Sequence, residues 1–385
     1  MYSKVNFLFL IENINLRGGT EIQTLNITHA LNEAGYSAKI LSITPYNSKD
    51  RYILSLPTEI YDIYVKRKHQ IVNKIFCDII SDHYLAIKLC TIISQINPKI
   101  LVNQTYDLIH LLPFKKNIKI IQVFNWSILG YEESILQIIK RKKTIIKFLS
   151  LATNAYKVRI RHLSISNCNN IVILTHNATK ELKLINNKIK DSQIAIIPNP
   201  LRKDNDSQEL SSLNNHNIVF VGRLSHEKGV LRLLHIWEYI YNELPNYTLS
   251  IYGTGEAQKE MEEYINRHNL KNIIFKGFEK DHNKIYTSAD LLISTSDSEG
   301  FGLVFIEAFY YGVPAISFNC PVSPKEVIGN AGILIECFNE KKYSEEVISL
   351  LQNKKRLKIL QNNAIVKARD YYENKIVNKW IKLLP

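Results

Sequence analysis

Short apolar segments alternate with longer amphipathic segments along the whole chain. Most of the short segments are apolar on both faces, which is typical of parallel strands covered by helices on either side. The predicted strands are Val5–Ile11, Ala38–Ile43, Ile100–Val102, Ile118–Val123, Ile171–Leu174, Ile194–Ile197, Ile218–Val221, Tyr247–Tyr252, Ile273–Lys276, Leu291–Ser294, Pro314–Phe318 and Ile333–Ile335. Helical patterns fill the gaps, for example at Thr20–Ala34, Gly229–Glu243, Ala257–His268 and Leu303–Tyr311. This alternation predicts an α/β fold.

A polar stretch at 199–217 separates the strands into two series and has the composition of a linker. We therefore predict two doubly wound, Rossmann-like domains, residues 1–199 and residues 200–370. A helix within residues 371–385 is expected to pack back on the first domain. Ligands of such sheets bind beyond the carboxyl ends of the strands, so two facing domains would enclose a central cleft.

The composition is that of a globular protein, with 45% hydrophobic and 22% charged residues among 385. The five cysteines form no CxxC pair, which favours reduced thiols over a disulfide framework or a zinc site. We interpret the first apolar run as a strand rather than a signal peptide, and no run is long enough to span a bilayer. We therefore expect a cytoplasmic protein.

The net charge of +13 is concentrated in residues 1–200, which hold 26 Lys and Arg against 13 Asp and Glu. The segment from Lys140 to Arg161 carries eight of these cations and no acid, with apolar residues among them. Such a basic amphipathic segment predicts contact with an anionic membrane surface, at the inner face of the cell membrane. A solvated basic helix is the alternative. Nucleic acid is not an expected partner, because no DNA- or RNA-binding motif accompanies the charge.

A glycine pair, Gly18 and Gly19, follows the first predicted strand and begins its helix. Paired glycines let the backbone approach a ligand closely, and a helix N-terminus attracts anions. A simple loop is the alternative.

Two cations five residues apart, Arg223 and Lys228, occupy the turn from Gly222 to Gly229 after the first strand of the second domain. Arginine can bind a phosphate in a fork and lysine can act as a point charge, so the pair could neutralise a diphosphate. Ion pairs with Glu227 are the alternative.

The turn Gly253-Thr254-Gly255 resembles the start of a dinucleotide-binding fingerprint, but Gln258 occupies the position of its third glycine. We interpret it as a tight turn that borders the cleft.

A pair of carboxylates, Glu299 and Glu307, flanks the glycine-bearing loop before the helix that starts near Leu303. Two acids in this arrangement could bind different hydroxyls of a sugar nucleotide while the helix N-terminus holds its phosphates. A helix-capping pair is the alternative.

Together these motifs resemble glycosyltransferase family 4, the retaining group of the GT-B fold. The Glu-x7-Glu pair is matched by Glu299 and Glu307, the Gly-Arg-Leu…Glu-Lys-Gly turn by 222–229, and the early Gly-Gly-x-Glu by 18–21. The resemblance implies a retaining hexosyl transfer in which Glu299, Arg223 and Lys228 are catalytic. It implies donor contacts at Gly18, Gly19, Asn199, Gly222, Arg223, Lys228, Gly253, Gly255, Phe278, Glu299, Gly300, Phe301, Gly302, Leu303 and Glu307.

The resemblance further implies a UDP-sugar donor, a lipid-linked or polysaccharide acceptor of the cell envelope (lipopolysaccharide, capsule or teichoic acid) and no metal or other cofactor. One departure concerns the first domain, where relatives place a histidine after a strand and this chain has Asn125 and Trp126. Asparagine is not a base near neutral pH, so we expect only an acceptor-side or sugar-positioning role there. A nucleotide-sugar epimerase and a non-catalytic sugar-nucleotide-binding protein remain alternative functions.

Overall fold

The chain forms two compact units, Met1–Pro200 with Glu373–Pro385, and Leu201–Tyr372. The structure is a computed structural model. It describes residues 5–16, 18–45, 59–62, 74–105, 108–112, 117–130, 144–201 and 209–385.

The first unit contains a seven-stranded sheet in which every strand is parallel to its neighbours. Its strands follow the order β3-β2-β1-β4-β5-β6-β7. They are β1 (Phe7–Ile11), β2 (Ala38–Ser42), β3 (Ile60–Asp62), β4 (Ile100–Asn103), β5 (Lys119–Phe124), β6 (Asn170–Ile173) and β7 (Ile194–Ile196). Its helices include α1 (Gly19–Glu33), α2 (Lys74–Ile96), α3 (Thr144–Ile165) and α4 (Ala178–Ile185). The central strands β1 and β4 are buried throughout, as expected of parallel strands between helical layers.

The second unit contains a six-stranded parallel sheet in the order β10-β9-β8-β11-β12-β13. Its strands are β8 (Asn217–Val221), β9 (Thr248–Tyr252), β10 (Ile273–Gly277), β11 (Leu291–Ser294), β12 (Ala315–Phe318) and β13 (Gly332–Ile335). Its helices include α5 (Val230–Glu243), α6 (Gln258–His268), α7 (His282–Tyr286), α8 (Leu303–Tyr310), α9 (Pro324–Ile328), α10 (Glu340–Gln352) and α11 (Lys354–Ala368).

The last helix, α12 (Glu373–Ile381), belongs to the first unit although it follows the second in sequence. Its Trp380 is 5% exposed and meets the rings of Phe7 and Phe9 at centroid distances of 6.5 and 5.7 Å. Beyond the helix, the carbonyl of Leu383 accepts a hydrogen bond of 2.8 Å from Lys119 Nζ. Aromatic packing and this bond hold the chain terminus against the first sheet.

The α/β prediction is confirmed, and each of the twelve predicted strands is present, with small differences at the ends. Strand β3 was not predicted. It lies at the edge of the sheet, is only partly buried and ends on an aspartate, so its sequence lacks the apolar run by which the others were recognised.

The basic segment of the first unit is described only in part. Lys140 to Lys143 lie outside the described residues, while α3 contains the remainder. Arg161 is only 4% exposed, so this cation of the predicted segment is not available to a membrane surface. It shares a helical face with the buried Ser164 and Ile165, whereas Arg159 is exposed. None of the helices described has both the length and the apolar character needed to cross a membrane.

A buried tyrosine on α10 joins the neighbouring strands β11 and β12 in the second unit. The Tyr343 hydroxyl lies 3.1 Å from Ser294 N, which donates to it, and 3.1 and 2.5 Å from the carbonyl oxygens of Ser294 and Ile316. Burial raises the pKa of Tyr343 well above its ordinary value, so the hydroxyl stays protonated and can donate. The contact fixes the end of β11, where the site loop begins.

We predict that Tyr343→Phe lowers the free energy of unfolding by about 1–3 kcal/mol, because it leaves buried backbone groups without this partner. Urea unfolding followed by circular dichroism measures the change. The matched control is Tyr239→Phe, since Tyr239 is 56% exposed. Equal unfolding midpoints for the two variants would contradict the prediction.

Candidate functional site

The strand order of the second unit reverses direction between β8 and β11, which are neighbours in the sheet. The carboxyl end of β8 leads into the turn 222–229, and the carboxyl end of β11 leads into the loop 295–302. Open α/β sheets bind their ligands at such a switch point. The two segments that carry the predicted catalytic residues therefore meet where a ligand is expected.

An ion pair joins the two segments. Lys228 Nζ lies 2.7 Å from Glu299 Oε1, the same oxygen that accepts a 2.6 Å hydrogen bond from Ser296 Oγ. Burial by itself would lower the pKa of Lys228, but Coulombic attraction and the hydrogen bond to Glu299 outweigh it and raise this pKa. Lys228 is therefore cationic at neutral pH, and its partner is Glu299 rather than Glu227.

The two carboxylate oxygens of Glu299 differ in their hydrogen bonds. Both side-chain hydrogen bonds to Glu299 from described residues end on Oε1, which leaves Oε2 with acceptor capacity. The residue as a whole is 7% exposed. A carboxylate with one oxygen bonded and the other available can accept a hydrogen bond from a ligand hydroxyl.

Backbone and side-chain contacts lock the turn to the loop. The Thr295 hydroxyl lies 3.0 Å from the carbonyl oxygens of Lys228 and Gly229, and Arg232 Nη1 donates to the Thr295 carbonyl at 2.7 Å. A Cβ at Gly229, whose φ is +64°, would lie 2.1 Å from that carbonyl oxygen. The close approach requires glycine here. Thr295 and Arg232 could not be recognised from the sequence, because their role depends on contacts with residues distant in sequence.

Arg223, the second predicted cation, is exposed and forms no ion pair with any described residue. Its turn is held by backbone hydrogen bonds, from Gly222 N to the carbonyl of Tyr252 at 2.9 Å and from Leu224 N to that of Thr254 at 3.0 Å. The guanidinium is thus carried on a fixed backbone and can bind an anion.

The glycines of the neighbouring turn have a packing role that needs no ligand. A Cβ at Gly253 would lie 1.8 Å from the carbonyl oxygen of Gly222, and one at Gly255 would lie 2.2 Å from that of Leu224. Both glycines permit close contact between the turns that follow β8 and β9. A donor contact by either one stays a prediction.

The remaining acid, Glu307, lies in α8 and accepts a 3.2 Å hydrogen bond from the Tyr286 hydroxyl at Oε2. Glu307 is partly buried and so not fully enclosed by protein. Gly302 precedes the helix with a φ of +78°, and Leu303 begins it. The helix-capping alternative for the acid pair fails for Glu299, whose side chain bonds Lys228 and Ser296.

Two predicted aromatic positions differ in exposure. Phe301 is 3% exposed and packs edge-on against Tyr371 at a centroid distance of 5.6 Å. Its ring is part of the core, so a donor contact there would have to come from the backbone of Phe301 or of its neighbour Gly300. Phe278 follows β10 and is 52% exposed.

The predicted residues of the first unit lie at the carboxyl edge of their own sheet. Gly18 and Gly19 stand at the start of α1, Asn125 and Trp126 follow β5, and Asn199 follows β7.

Polar contacts hold the loop after β5 from two sides. Asn125 Nδ2 donates to Gln104 Oε1 at 2.9 Å, and Thr24 Oγ1 lies 2.9 Å from the same oxygen. Further along, Glu181 accepts hydrogen bonds from the Ser127 hydroxyl at 2.8 Å and from Ile128 N at 2.9 Å. Gln104 has no motif around it and could not be recognised from the sequence.

Over the described residues, no group of His, Cys, Asp and Glu side chains could hold a metal ion. The catalytic residues proposed from the sequence do not include a metal-ligand set either.

Comparison with known proteins agrees with this geometry. Residues 202–367, which is less than half of the chain, match the family model described as glycosyl transferases group 1. An uncharacterized glycosyltransferase of Haemophilus influenzae is 26% identical over 98% of this chain and 99% of its own length. A poly(glycerol-phosphate) alpha-glucosyltransferase of Bacillus subtilis is 24% identical over 59% of this chain, but this match spans only 35% of that protein.

Solved structures show the same fold. A variant of TarM from S. aureus, in complex with UDP, superposes with a TM-score of 0.75 at 15% identity, covering 99% of this chain and 100% of that one. The pneumococcal O-GlcNAc transferase GtfA, in complex with UDP and GlcNAc, superposes with a TM-score of 0.72 at 15% identity, covering 100% and 99%. The family match, the relatives and these folds together support a glycosyltransferase with the GT-B fold.

Proposed function

We propose that this chain is a retaining, metal-independent glycosyltransferase of the family 4 type. It would move a hexosyl group from a UDP-sugar to a lipid-linked or polysaccharide acceptor in the synthesis of a cell-envelope glycan. The observation that carries the proposal is the Lys228–Glu299 pair, 2.7 Å apart at the switch point of the second sheet, in which Lys228 shares its turn with the exposed Arg223.

The two cations would bind the diphosphate of the donor. Breaking the glycosyl bond leaves additional negative charge on the leaving diphosphate, and preformed positive charge stabilises that state more than the ground state. Lys228 has three N–H donors, of which Glu299 occupies one, so the others can bind phosphate oxygens. Arg223 can bind two phosphate oxygens in a fork.

The two acids would bind the sugars of the donor. Glu299 would accept a hydrogen bond from a hydroxyl of the transferred sugar at its available Oε2. Glu307 would bind the ribose with the hydrogen-bond acceptor capacity that its carboxylate retains beside the bond from Tyr286. In a retaining transfer of this type, the acceptor hydroxyl attacks the face from which the diphosphate departs, and the departing phosphate takes the hydroxyl proton. The reaction then needs no protein base, which agrees with an asparagine at position 125.

The choice of UDP and of an envelope glycan is supported by the proteins that this chain resembles. TarM and GtfA have been crystallised with UDP, and HepE from Anabaena with UDP-glucose. Relatives include proteins named for amylovoran biosynthesis and for poly(ribitol-phosphate) glycosylation. We assign donor binding to the second unit and acceptor binding to the first.

We also propose that the protein is cytoplasmic and binds the inner face of the cell membrane through α3. An outward stripe on this helix consists of Tyr156 and Leu163, 66% and 58% exposed, with Arg159 between them. Exposed apolar side chains beside a cation suit an anionic lipid interface.

We predict that Glu299→Gln, Lys228→Met and Arg223→Ala each reduce sugar transfer about 100-fold or more, because the two cations stabilise the leaving diphosphate and Glu299 holds the transferred sugar. The first step is a thermal-shift screen of nucleotide sugars, which identifies the donor by the stabilisation it produces. Release of UDP and formation of the glycoside are then measured by chromatography.

The control variant is Arg267→Ala, because Arg267 is also an exposed arginine of the second unit but lies on α6. Full activity of Glu299→Gln would contradict the proposal. Conversion of the UDP-sugar without an acceptor into another UDP-sugar would instead show an epimerase. Binding without hydrolysis or transfer, over a broad acceptor panel, would show a binding protein.

We predict that EDTA leaves the transfer rate unchanged, because the cations Arg223 and Lys228 replace the metal in neutralising the diphosphate. The rate is measured before and after chelation, and again after Mg²⁺ or Mn²⁺ is added. A rate that falls on chelation and recovers with metal would contradict metal independence.

We predict that the protein sediments with vesicles of phosphatidylcholine and phosphatidylglycerol but not with vesicles of phosphatidylcholine alone. Replacing both Tyr156 and Leu163 by Asp should abolish this binding, while Tyr239→Asp in the second unit should not. Equal sedimentation with and without anionic lipid would show that the membrane is not a partner of this surface.

A further inference from the structure

The segment Cys320–Ser323, between β12 and α9, contacts the backbone of Glu299. Val322 forms an isolated parallel bridge with Glu299, and the Ser323 hydroxyl donates to the Glu299 carbonyl at 2.9 Å. Cys320 is 4% exposed, and burial raises the pKa of its thiol to about 12, so it is a neutral group beside the ion pair. None of these residues belongs to the donor-binding set assigned above.

Val322 has a backbone conformation that its side chain disfavours. Its φ is +81°, in the left-handed region. A residue branched at Cβ is a clear outlier there, because the side chain crowds the neighbouring carbonyl oxygens. Such strain persists only where the surroundings hold it, and it concentrates at functional sites.

Ser323 departs from a second local rule. It stands at the N-cap position of α9, where a serine side chain ordinarily accepts a hydrogen bond from the first turn of the helix. Its hydroxyl makes no such cap and instead bonds Glu299 O. Ser323 is 0% exposed, so water cannot replace Glu299 O or the helix backbone as the hydrogen-bond partner of its hydroxyl.

The unusual backbone of Val322 and the unusual hydrogen bond of Ser323 occur in adjacent residues, and both residues contact the backbone of Glu299. We infer that Cys320–Ser323 is a clamp that fixes the backbone of Glu299, so that one carboxylate oxygen stays on Lys228 while the other faces the transferred sugar. Val322 and Ser323 are thus positioning residues for the sugar part of the donor. The inference rests on the proposed function of Glu299.

The test uses the full chain with two clamp variants, Val322→Gly and Ser323→Ala. His216→Gly is the control for the first, since His216 is exposed and has a φ of +54°. Ser211→Ala is the control for the second, since Ser211 is also buried and donates to a backbone carbonyl, that of Ala289, at 2.5 Å. Each protein is measured for melting temperature, deuterium exchange of the loop 295–302, UDP affinity, and turnover of UDP-glucose and UDP-GlcNAc.

The clamp predicts faster exchange in the loop and a turnover lower by about tenfold or more in both variants, because a small displacement of a positioning group has a large effect on rate. UDP affinity should stay within about twofold of the original, since UDP lacks the sugar that Glu299 binds. Val322→Gly should melt at or above the temperature of the original protein, because glycine relieves the strain. The controls should leave loop exchange and turnover unchanged.

Wild-type loop exchange and turnover in both variants would overturn the clamp. The clamp would also be overturned if the control variants showed the same fall in turnover together with a lower melting temperature. The segment would then be an ordinary structural element. If the original protein neither binds UDP nor turns over a UDP-sugar, the proposed function fails. The exchange measurement then still decides whether the segment holds the loop.

Discussion

The site depends on one ion pair, between Lys228 and Glu299. A carboxylate that is 7% exposed would be strongly destabilising without a partner, and the attraction of the ammonium 2.7 Å away offsets part of that penalty. The same pair orients both groups before any ligand is present. It uses one donor of the ammonium and one oxygen of the carboxylate, so each retains capacity for a substrate. The ion pair can therefore stabilise the site and still leave both side chains able to bind a substrate.

The sheet topology explains why residues 71 positions apart in sequence form this pair. Strands β8 and β11 are neighbours, and the chain leaves their carboxyl ends in the two segments that carry Lys228 and Glu299. Gly229 lets these segments touch, Thr295 and Arg232 bond them together, and Tyr343 fixes the end of β11 beneath them. The contacts that position the pair are thus made by residues outside the set of predicted donor contacts.

The sequence allowed the α/β fold and nearly every strand to be predicted, because parallel strands buried on both faces have a distinctive apolar pattern. It failed for β3, an edge strand with little apolar character, and for Arg161, whose helical face could not be known without its neighbours. Motifs pointed to Arg223, Lys228 and Glu299. They could not reveal Ser296 or Ser323, whose importance lies in hydrogen bonds to Glu299 rather than in any local pattern.

The most direct measurement is a crystal structure of the protein with UDP and the donor sugar identified by screening. We expect Arg223 and Lys228 to contact the diphosphate oxygens and Glu299 Oε2 to accept a hydrogen bond from a sugar hydroxyl. A diphosphate bound away from both cations, with the Lys228–Glu299 pair uninvolved, would contradict the proposed roles of these residues.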